Sequence, residues 1–426
     1  MLKIKVKKRN RATVFFFMVV VALENFAWLI PADDYLIPGA FKFSDIGIIT
    51  ALLWLVYIVY VTGRKIEFKT SIYPLIFIAL VIISSTRCQH YFGQSMGLSI
   101  RQNRYILVSF LMYYGILHAL KKGLLTKDDI ISIIQYQGIL EAILLVLQSA
   151  LIKYFVFLHV NITFEYAHAR IRASYLMPML MMYISLNEYM NGRDRWRNLF
   201  RVFLGMFVLV GVCQHRAPSL IMLLTFGIAF LVWKKDASSK LVIGIALIVV
   251  LLSILYGSDV LQSALNVIFK GSSEGNTLTI RFVAQQYYMN RLNEFRAWMF
   301  GFGEPNINCK AAYSASGALD HLFLADNGVF GFIYAHGIVG TIWLFLFFAS
   351  LLRKSFAIMK RNRQYAFFLY IIYEIGNMYM GMHWYYYYAF PFILFIALIE
   401  WNFTLLKKEG RYKNEDKKNM RCGYYI

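Results

Sequence analysis

Residues 130–152, IISIIQYQGILEAILLVLQSALI, decide the fold. The run holds a single charged residue, Glu141, and lies between Lys127-Asp128-Asp129 and Lys153. A helix rises about 1.5 Å per residue, so a run of this length crosses the roughly 30 Å hydrocarbon core of a bilayer. Comparable runs recur at 13–30, 44–62, 71–86, 104–120, 173–190, 199–213, 217–233, 241–257, 337–352, 365–383 and 385–405. The expected fold is therefore an all-α polytopic membrane protein with about 12 transmembrane helices, forming a single transmembrane domain over residues 1–426. The composition agrees: 59% of the residues are hydrophobic and 16% charged, against about 25% charged in soluble proteins. A soluble enzyme, a secreted disulfide scaffold and a β-barrel are excluded on this reading. The basic start, residues 1–11, precedes an apolar run without a small-residue cleavage site, and is expected to lead into an uncleaved first helix.

The charges orient the helices. With a cytoplasmic N-terminus, the inside segments carry 31 of the 44 Lys and Arg, and both termini are expected in the cytoplasm. The net charge of +21 is then topological and does not mark a nucleic-acid binder. Residues 258–336 are too polar to span and are expected to form a long external loop with short helices of its own. The two halves show no internal repeat, which weighs against a duplicated transporter. Cys88, Cys213, Cys309 and Cys422 stand far apart, with no metal-ligand spacing and no disulfide framework.

The outside cations differ in kind from the inside ones. Nine of the 13 are arginine, namely Arg87, Arg101, Arg104, Arg170, Arg172, Arg216, Arg281, Arg291 and Arg296, whereas lysine predominates inside. A guanidinium donates paired hydrogen bonds to phosphate and stays charged, so an outer-face set points to an oriented anion, for which a lipid phosphate is the natural candidate. Arg172 stands just before the run at 173–190, and Arg216 occupies the tight turn CQHRAPS at 213–219. For any one of these arginines an ordinary lipid headgroup or a loop carboxylate is the competing partner.

Four segments together resemble the O-antigen ligase and polymerase superfamily. RIRASYLMPMLMMYISL (170–186) is similar to its Arg- and Pro-bearing helix opening, and VGVCQHRAPSLIMLLTFGIAFL (210–231) to its Arg turn. NTLTIRFVAQQYYMNRLNEFRAWMFGFG (276–303) resembles its external-loop Arg, helix and Gly-x-Gly, and DNGVFGFIYAHGIVG (326–340) its short helix before Gly-Ile-x-Gly. The matched segments lie between 170 and 340. The resemblance implies a GT-C-like fold and an inverting glycosyltransferase acting on undecaprenyl-diphosphate-linked glycans, as donor and acceptor, outside the bacterial cytoplasmic membrane. It also implies a capsule, exopolysaccharide or O-antigen product, a chain-length regulator as a possible partner, and no metal or cofactor. Arg172, Arg216 and Arg281 would hold the diphosphate, with Arg170, Arg291 and Arg296 as further candidates. Ligases of the superfamily carry His where this chain has Asp326. That departure favours polymerase over ligase and leaves the proton acceptor open between Asp326 and His321.

Other residues carry two readings. Asp33 and Asp34 fit an interfacial cap better than a metal site. The aromatic run WYYYY at 384–388 fits an interfacial belt better than a sugar-stacking platform. Glu24, Glu141 and Glu374 lie within spans, either as proton-coupling groups of a flippase or solute transporter or as neutral partners of Asn25, Gln148 and Asn377.

Overall fold

The computed structural model describes residues 2–422 except 33, 38–40, 67, 69–70, 166–167, 234–243, 245–276, 380 and 387–388. The chain is helical: α1 (Leu2–Leu23), α2 (Asp45–Thr62), α3 (Tyr73–Phe92), α4 (Met96–Lys122), α5 (Lys127–Leu151), α6 (Leu176–Met190), α7 (Arg195–Phe207), α8 (Arg216–Val232), α9 (Thr277–Glu294), α10 (Lys310–Ala315), α11 (Gly328–Asn362), α12 (Tyr365–Asn377), α13 (His383–Tyr386) and α14 (Ala389–Cys422). Among the described residues five helices are long and apolar enough to cross a membrane: Asp45–Thr62, Tyr73–Phe92, Lys127–Leu151, Leu324–Asn362 and Ala389–Glu409. Each expected span coincides for most of its length with a described helix, except 241–257, which lies outside the described residues.

Two short antiparallel hairpins interrupt the helices: β1 (Tyr35–Ile37) with β2 (Phe41–Lys42), and β3 (Asn161–Glu165) with β4 (His168–Arg172). The second pairs Asn161 with Arg172 and Thr163 with Arg170. Side chains alternate along a strand, so Arg170 and Arg172 share one face of this hairpin.

The helices meet through small residues and buried ion pairs. A Cβ on Gly138 of α5 would lie 2.7 Å from the Met181 Cβ and 2.8 Å from the Met177 carbonyl oxygen of α6, so those backbones approach closely because the residue is glycine. Lys354 of α11 donates to Glu400 of α14 at 2.6 Å, and Arg104 of α4 to Asp45 of α2 at 2.6 Å. α1 gives way to four consecutive positive-φ residues, Asn25, Phe26, Ala27 and Trp28. Such a left-handed turn costs about 1–2 kcal/mol per residue, and it is tied down where the His159 amide donates to the Trp28 carbonyl at 2.8 Å.

The long helix α11 breaks at Gly337, which has φ 65° and ψ −166°. A break inside an apolar bundle frees amides and carbonyls that must be paired, and residues 298–303 supply the partners. Ile338 and Val339 donate to the Trp298 and Met299 carbonyls at 2.7 and 3.1 Å, while Phe302 and Gly303 donate to the Tyr334 and Ala335 carbonyls at 2.9 and 2.8 Å. A Cβ on Gly301 or Gly337 would fall 2.5 Å from backbone atoms of the facing strand of chain, and both residues have positive φ. The Gly-x-Gly and Gly-Ile-x-Gly segments are thus two sides of one joint. Residues from α9 to Tyr334 add a second apolar cluster, including Ala284, Tyr288, Leu292, Phe302 and Leu322, which packs this segment against Tyr91 and Phe92 of α3.

Candidate functional site at one end of α6, α8 and α12

The joint at Gly337 carries a buried polar chain. Ser84 Oγ lies 3.1 Å from His336 Nδ1, His336 Nε2 lies 2.6 Å from Tyr385 Oη, and Tyr385 Oη donates to Glu304 Oε1 at 2.8 Å. With Tyr385 donating to Glu304, its oxygen accepts from His336 Nε2–H, and Nδ1 faces the Ser84 hydroxyl, whose one proton the Val81 carbonyl at 3.2 Å also competes for. Gln94 closes the arrangement by donating to the Glu304 carbonyl at 2.9 Å and accepting from the Asn306 amide at 2.8 Å. Burial pushes the Glu304 carboxyl up to about 7, with the Tyr385 hydrogen bond opposing. Here the aromatic-belt expectation is corrected. Trp384 and Tyr385 are buried, with Trp384 stacked on Phe392 at 4.7 Å, because the chain after α12 turns inward to complete the joint. Tyr387 and Tyr388 lie outside the described residues.

The hairpin β3–β4 brings arginine to the turn at 213–216. Arg170 Nε donates to the Cys213 carbonyl at 3.1 Å, and its Nη2 lies 3.4 Å from His215 Nδ1. A guanidinium only donates, so that ring nitrogen accepts. Arg216 follows directly as the first residue of α8, with Pro218 in the first turn. Arg172 is exposed at the end of β4. The structure therefore gathers Arg170, His215 and the backbone of Arg216 at one place, although 43 residues separate Arg170 from Cys213.

Inward from this turn lies a polar face that crosses three helices. The His215 ring sits 4.8 Å from the Tyr175 ring, and Tyr175 lies beside Tyr373 of α12. On α12 the polar residues Tyr370, Tyr373, Glu374 and Asn377 follow the i, i+3, i+4, i+7 spacing of one helix face, and all four are buried. Tyr183 of α6 packs its ring 5.8 Å from Tyr370 and 5.9 Å from Tyr373, and its hydroxyl lies 2.7 Å from Thr225 Oγ1 of α8. Glu374 stands beside both Tyr370 and Tyr373. Tyr370 lies within hydrogen-bond reach of Glu374, and Tyr373 of Tyr175, while Asn377 Oδ1 has no hydrogen bond among the described residues.

The Asn377 end of that face meets the Asp326 segment. The Val329 amide donates to the Met378 carbonyl at 2.8 Å, one residue past Asn377, and Asn327 Oδ1 is a further buried atom without a hydrogen bond of good geometry among the described residues. Asp326 is exposed in the 3-10 turn Leu324–Asn327, close enough to Tyr288 of α9 to act on its hydroxyl electrostatically. Arg281 lies seven residues before Tyr288 on the same face of α9 and is half-buried.

The remaining sequence-predicted residues are placed elsewhere. His321 is exposed at a positive φ of 61°, its ring 6.1 Å from Phe323. Arg291 is engaged by Glu294 at 3.0 Å and lies over the Phe295 ring, which makes it a brace of α9. Arg296 is exposed. Of the other outside arginines, Arg87 donates to the Gly301 carbonyl at 3.2 Å and Arg104 holds Asp45, so both serve the architecture. Glu141 accepts from Gln137 at 2.9 Å rather than from Gln148, whose amide is taken up by residues 155–158. Asp33 lies outside the described residues, and Asp34 is exposed with its backbone held by Pro31 and Phe43. Among the described residues no group of three His, Cys, Asp or Glu is arranged to hold a metal.

Sequence reasoning singled out Glu374 but missed Tyr175, Tyr183, Tyr370 and Tyr373 as its neighbours. The signal was the four-residue polar spacing inside an otherwise apolar helix. Comparison with protein-family models, with curated proteins and with solved structures finds no match for this chain.

Proposed function

We propose that this chain is a polytopic glycosyltransferase with twelve membrane spans and both termini in the cytoplasm, which polymerises polyprenyl-diphosphate-linked oligosaccharide units at the outer face of a bacterial cytoplasmic membrane. The observation that carries this reading is the seating of the arginine-bearing hairpin on the turn that presents His215 and Arg216. The excess of Lys and Arg in the expected cytoplasmic segments argues for that cluster on the outside, and two of the four superfamily-like segments, 170–186 and 210–231, contain it.

The reaction asks for little beyond what such a cluster supplies. An acceptor sugar hydroxyl attacks the anomeric carbon of the donor glycan, with inversion. The bond from that carbon to the diphosphate oxygen breaks, and the polyprenyl diphosphate leaves with the electron pair. Negative charge grows on the departing oxygens, so guanidiniums fixed beforehand bind the transition state more strongly than the ground state. The proton of the hydroxyl passes to a carboxylate, for which Asp326 at the outer rim is the candidate, with His321 as its rival.

The test is conversion of purified lipid-linked repeat units by the protein in nanodiscs, with product length read on a gel. Wild type forms a polymer ladder with and without chelator. Arg216→Ala and Arg172→Ala lower the rate on the order of a hundred- to a thousandfold. No ladder from wild type, or full rate in both variants, overturns the reading. Attachment of finished polymer to another acceptor, with no lengthening, identifies the ligase of the same superfamily.

One observation favours a transporter as the second reading. Glu141 and Glu24 are buried close enough to influence one another within the expected spans, an arrangement used for proton coupling. In that case Glu141→Gln abolishes transbilayer movement of the lipid-linked unit in vesicles, while the arginine variants leave the length of any polymer unchanged.

A further inference from the structure

We infer that the cavity between the ends of α1, α2 and α4, lined by Lys8, Arg64 and Lys122, is a binding site for the phosphate of an anionic phospholipid. The site shares no residue with the arginine-bearing hairpin and stands independently of the glycan-polymerising reading. The proposed orientation enters only in assigning the lipid to the cytoplasmic leaflet.

The cavity has a volume of about 290 Å³. Lys8 comes from α1, Lys122 is the last residue of α4, and Arg64 follows Gly63, the residue that caps α2. Among the described residues that line the cavity none carries a carboxylate. Arg9, next along α1, shows what a structural cation does at this end of the bundle: it donates to both Asp129 oxygens, at 3.2 and 3.3 Å, and ties α1 to α5. Lys8, Arg64 and Lys122 make no ion pair among the described residues. Cations at the inside ends of spans set the topology, but that role requires them near the membrane surface, not three around one hollow. The C-terminal ends of α2 and α4 offset part of the charge. Each carries roughly half an elementary negative charge, so about two of the three positive charges are left for a ligand.

The chemistry of the lining selects the ligand class. Two ammonium groups and a guanidinium around one hollow suit a phosphate, whose oxygens accept from several donors at once. The walls favour a lipid over a soluble phosphate. Val61 and Leu124 give the hollow an apolar side, and α2, which supplies Val61, exposes Leu52, Val56, Val59 and Tyr60 along one face. A phospholipid seated here puts its phosphate among the cations and its acyl chains against that stripe. Tyr60, at the end of the stripe, is 84% exposed, and a tyrosine ring at the end of a span sits at headgroup level. A basic hollow between helix ends on the cytoplasmic side is an arrangement that recognises anionic headgroups.

The probe is phosphatidylglycerol, titrated into the full-length protein in detergent and read by native mass spectrometry, beside phosphatidylcholine and inorganic phosphate. Wild type retains phosphatidylglycerol in preference to phosphatidylcholine. Lys8→Gln, Arg64→Gln and Lys122→Gln each weaken that binding about fivefold, and the triple variant about a hundredfold. Lys122→Arg keeps the charge and the affinity. An Arg195→Gln/Arg197→Gln/Arg361→Gln control removes the same charge from exposed positions elsewhere and leaves binding unchanged. Equal losses in the two triple variants mean that the lipid responds to net charge alone, and the inference falls. A thermal midpoint raised by inorganic phosphate in wild type and not in the site variant, with no preference for phosphatidylglycerol, overturns the lipid assignment in favour of a soluble phosphate. If the triple variant does not fold, the single variants carry the test, and full affinity in all three overturns the site. Lipid retention is read without any glycan substrate, so its failure and that of the polymerase reading are told apart.

Discussion

The joint at Gly337 and the face of α12 both bury polar groups in the bundle, and they pair them over different ranges. At the joint the amides and carbonyls freed by the helix break find partners between 298–303 and 334–339, and the chain from Ser84 to Glu304 pairs each ring nitrogen and hydroxyl along it. Along α12 the pairing is short-ranged: Tyr370 reaches Glu374 on the same helix, and Tyr373 reaches Tyr175 at the start of α6. Within a membrane a completed polar network fixes the backbone, because breaking it strands a buried group. The network at the joint ties together α3, α11, α13 and the chain at Glu304, whereas the α12 pairs lie within one helix or between two neighbours. The contrast separates the two regions more sharply than residue type does, since tyrosine and glutamate occur in both.

The largest effect is expected where the joint is steric. Gly337 has a φ and ψ that side-chain-bearing residues rarely adopt, and a Cβ there would lie 2.5 Å from the Met299 backbone. Gly337→Ala must therefore pull residues 298–303 away from α11 and strand the amides of Ile338 and Val339. A loss of about 3–5 kcal/mol follows, combining backbone strain with unpaired groups. The measurement is the folded fraction by fluorescence-detected size exclusion after mild heating. A wild-type profile would show that the joint is not held by its glycine.

How far these two regions were legible in the sequence follows from the range of the interactions involved. The apolar run at 130–152 reveals a membrane helix because the bilayer imposes its length on every crossing segment. Glu374 was visible as an intramembrane carboxylate, and the spacing to Tyr370, Tyr373 and Asn377 could be counted. The burial of Tyr385 was not visible, since a Trp-Tyr run at the end of a span ordinarily marks the interface. Its partners His336 and Glu304 lie 49 and 81 residues away. The two glycine segments were noticed as motifs, yet nothing local says that they pack on one another. The hairpin carrying Arg170 and Arg172 has strands of five residues, too short for periodicity to stand out beside the helices. Gln148 looked a suitable partner for Glu141 because both lie on one helix face. The turn at 155–158 claims it instead.

The next effect is electrostatic and tests whether the joint holds its carboxyl neutral. Glu304 lies in the chain between α9 and α10 and is 7% exposed, with its carboxyl raised from 4.5 to about 7 by burial. Below about 4.5 the group is protonated both folded and unfolded, and its stabilising contribution is fully present. Between 4.5 and 7 the folded protein keeps a proton that the unfolded chain releases, so stability falls as pH rises and the contribution is lost above 7. The span corresponds to about 3 kcal/mol. The thermal midpoint in detergent should decline from pH 5 to pH 8 more steeply in wild type than in Glu304→Gln, which carries no titrating group. Parallel slopes for the two proteins would mean that the carboxyl is solvated.

The smallest effect sharpens the comparison most, because one chemical change should act with different size in the two regions. Tyr385→Phe removes the hydroxyl that joins His336 Nε2 to Glu304 Oε1, and both are left buried without that partner. The cost is about 1–3 kcal/mol. Tyr370→Phe removes a hydroxyl whose partner is the single carboxyl of Glu374, four residues on along the same helix. One buried group loses one partner, and the cost falls at the lower end of that range, about 1 kcal/mol. Thermal midpoints measured side by side should place Tyr385→Phe below Tyr370→Phe, and both below wild type. Equal midpoints for the two variants would mean that the network across the joint holds no more than a single pair within one helix, and the distinction between a long-range network and a local pair would not hold.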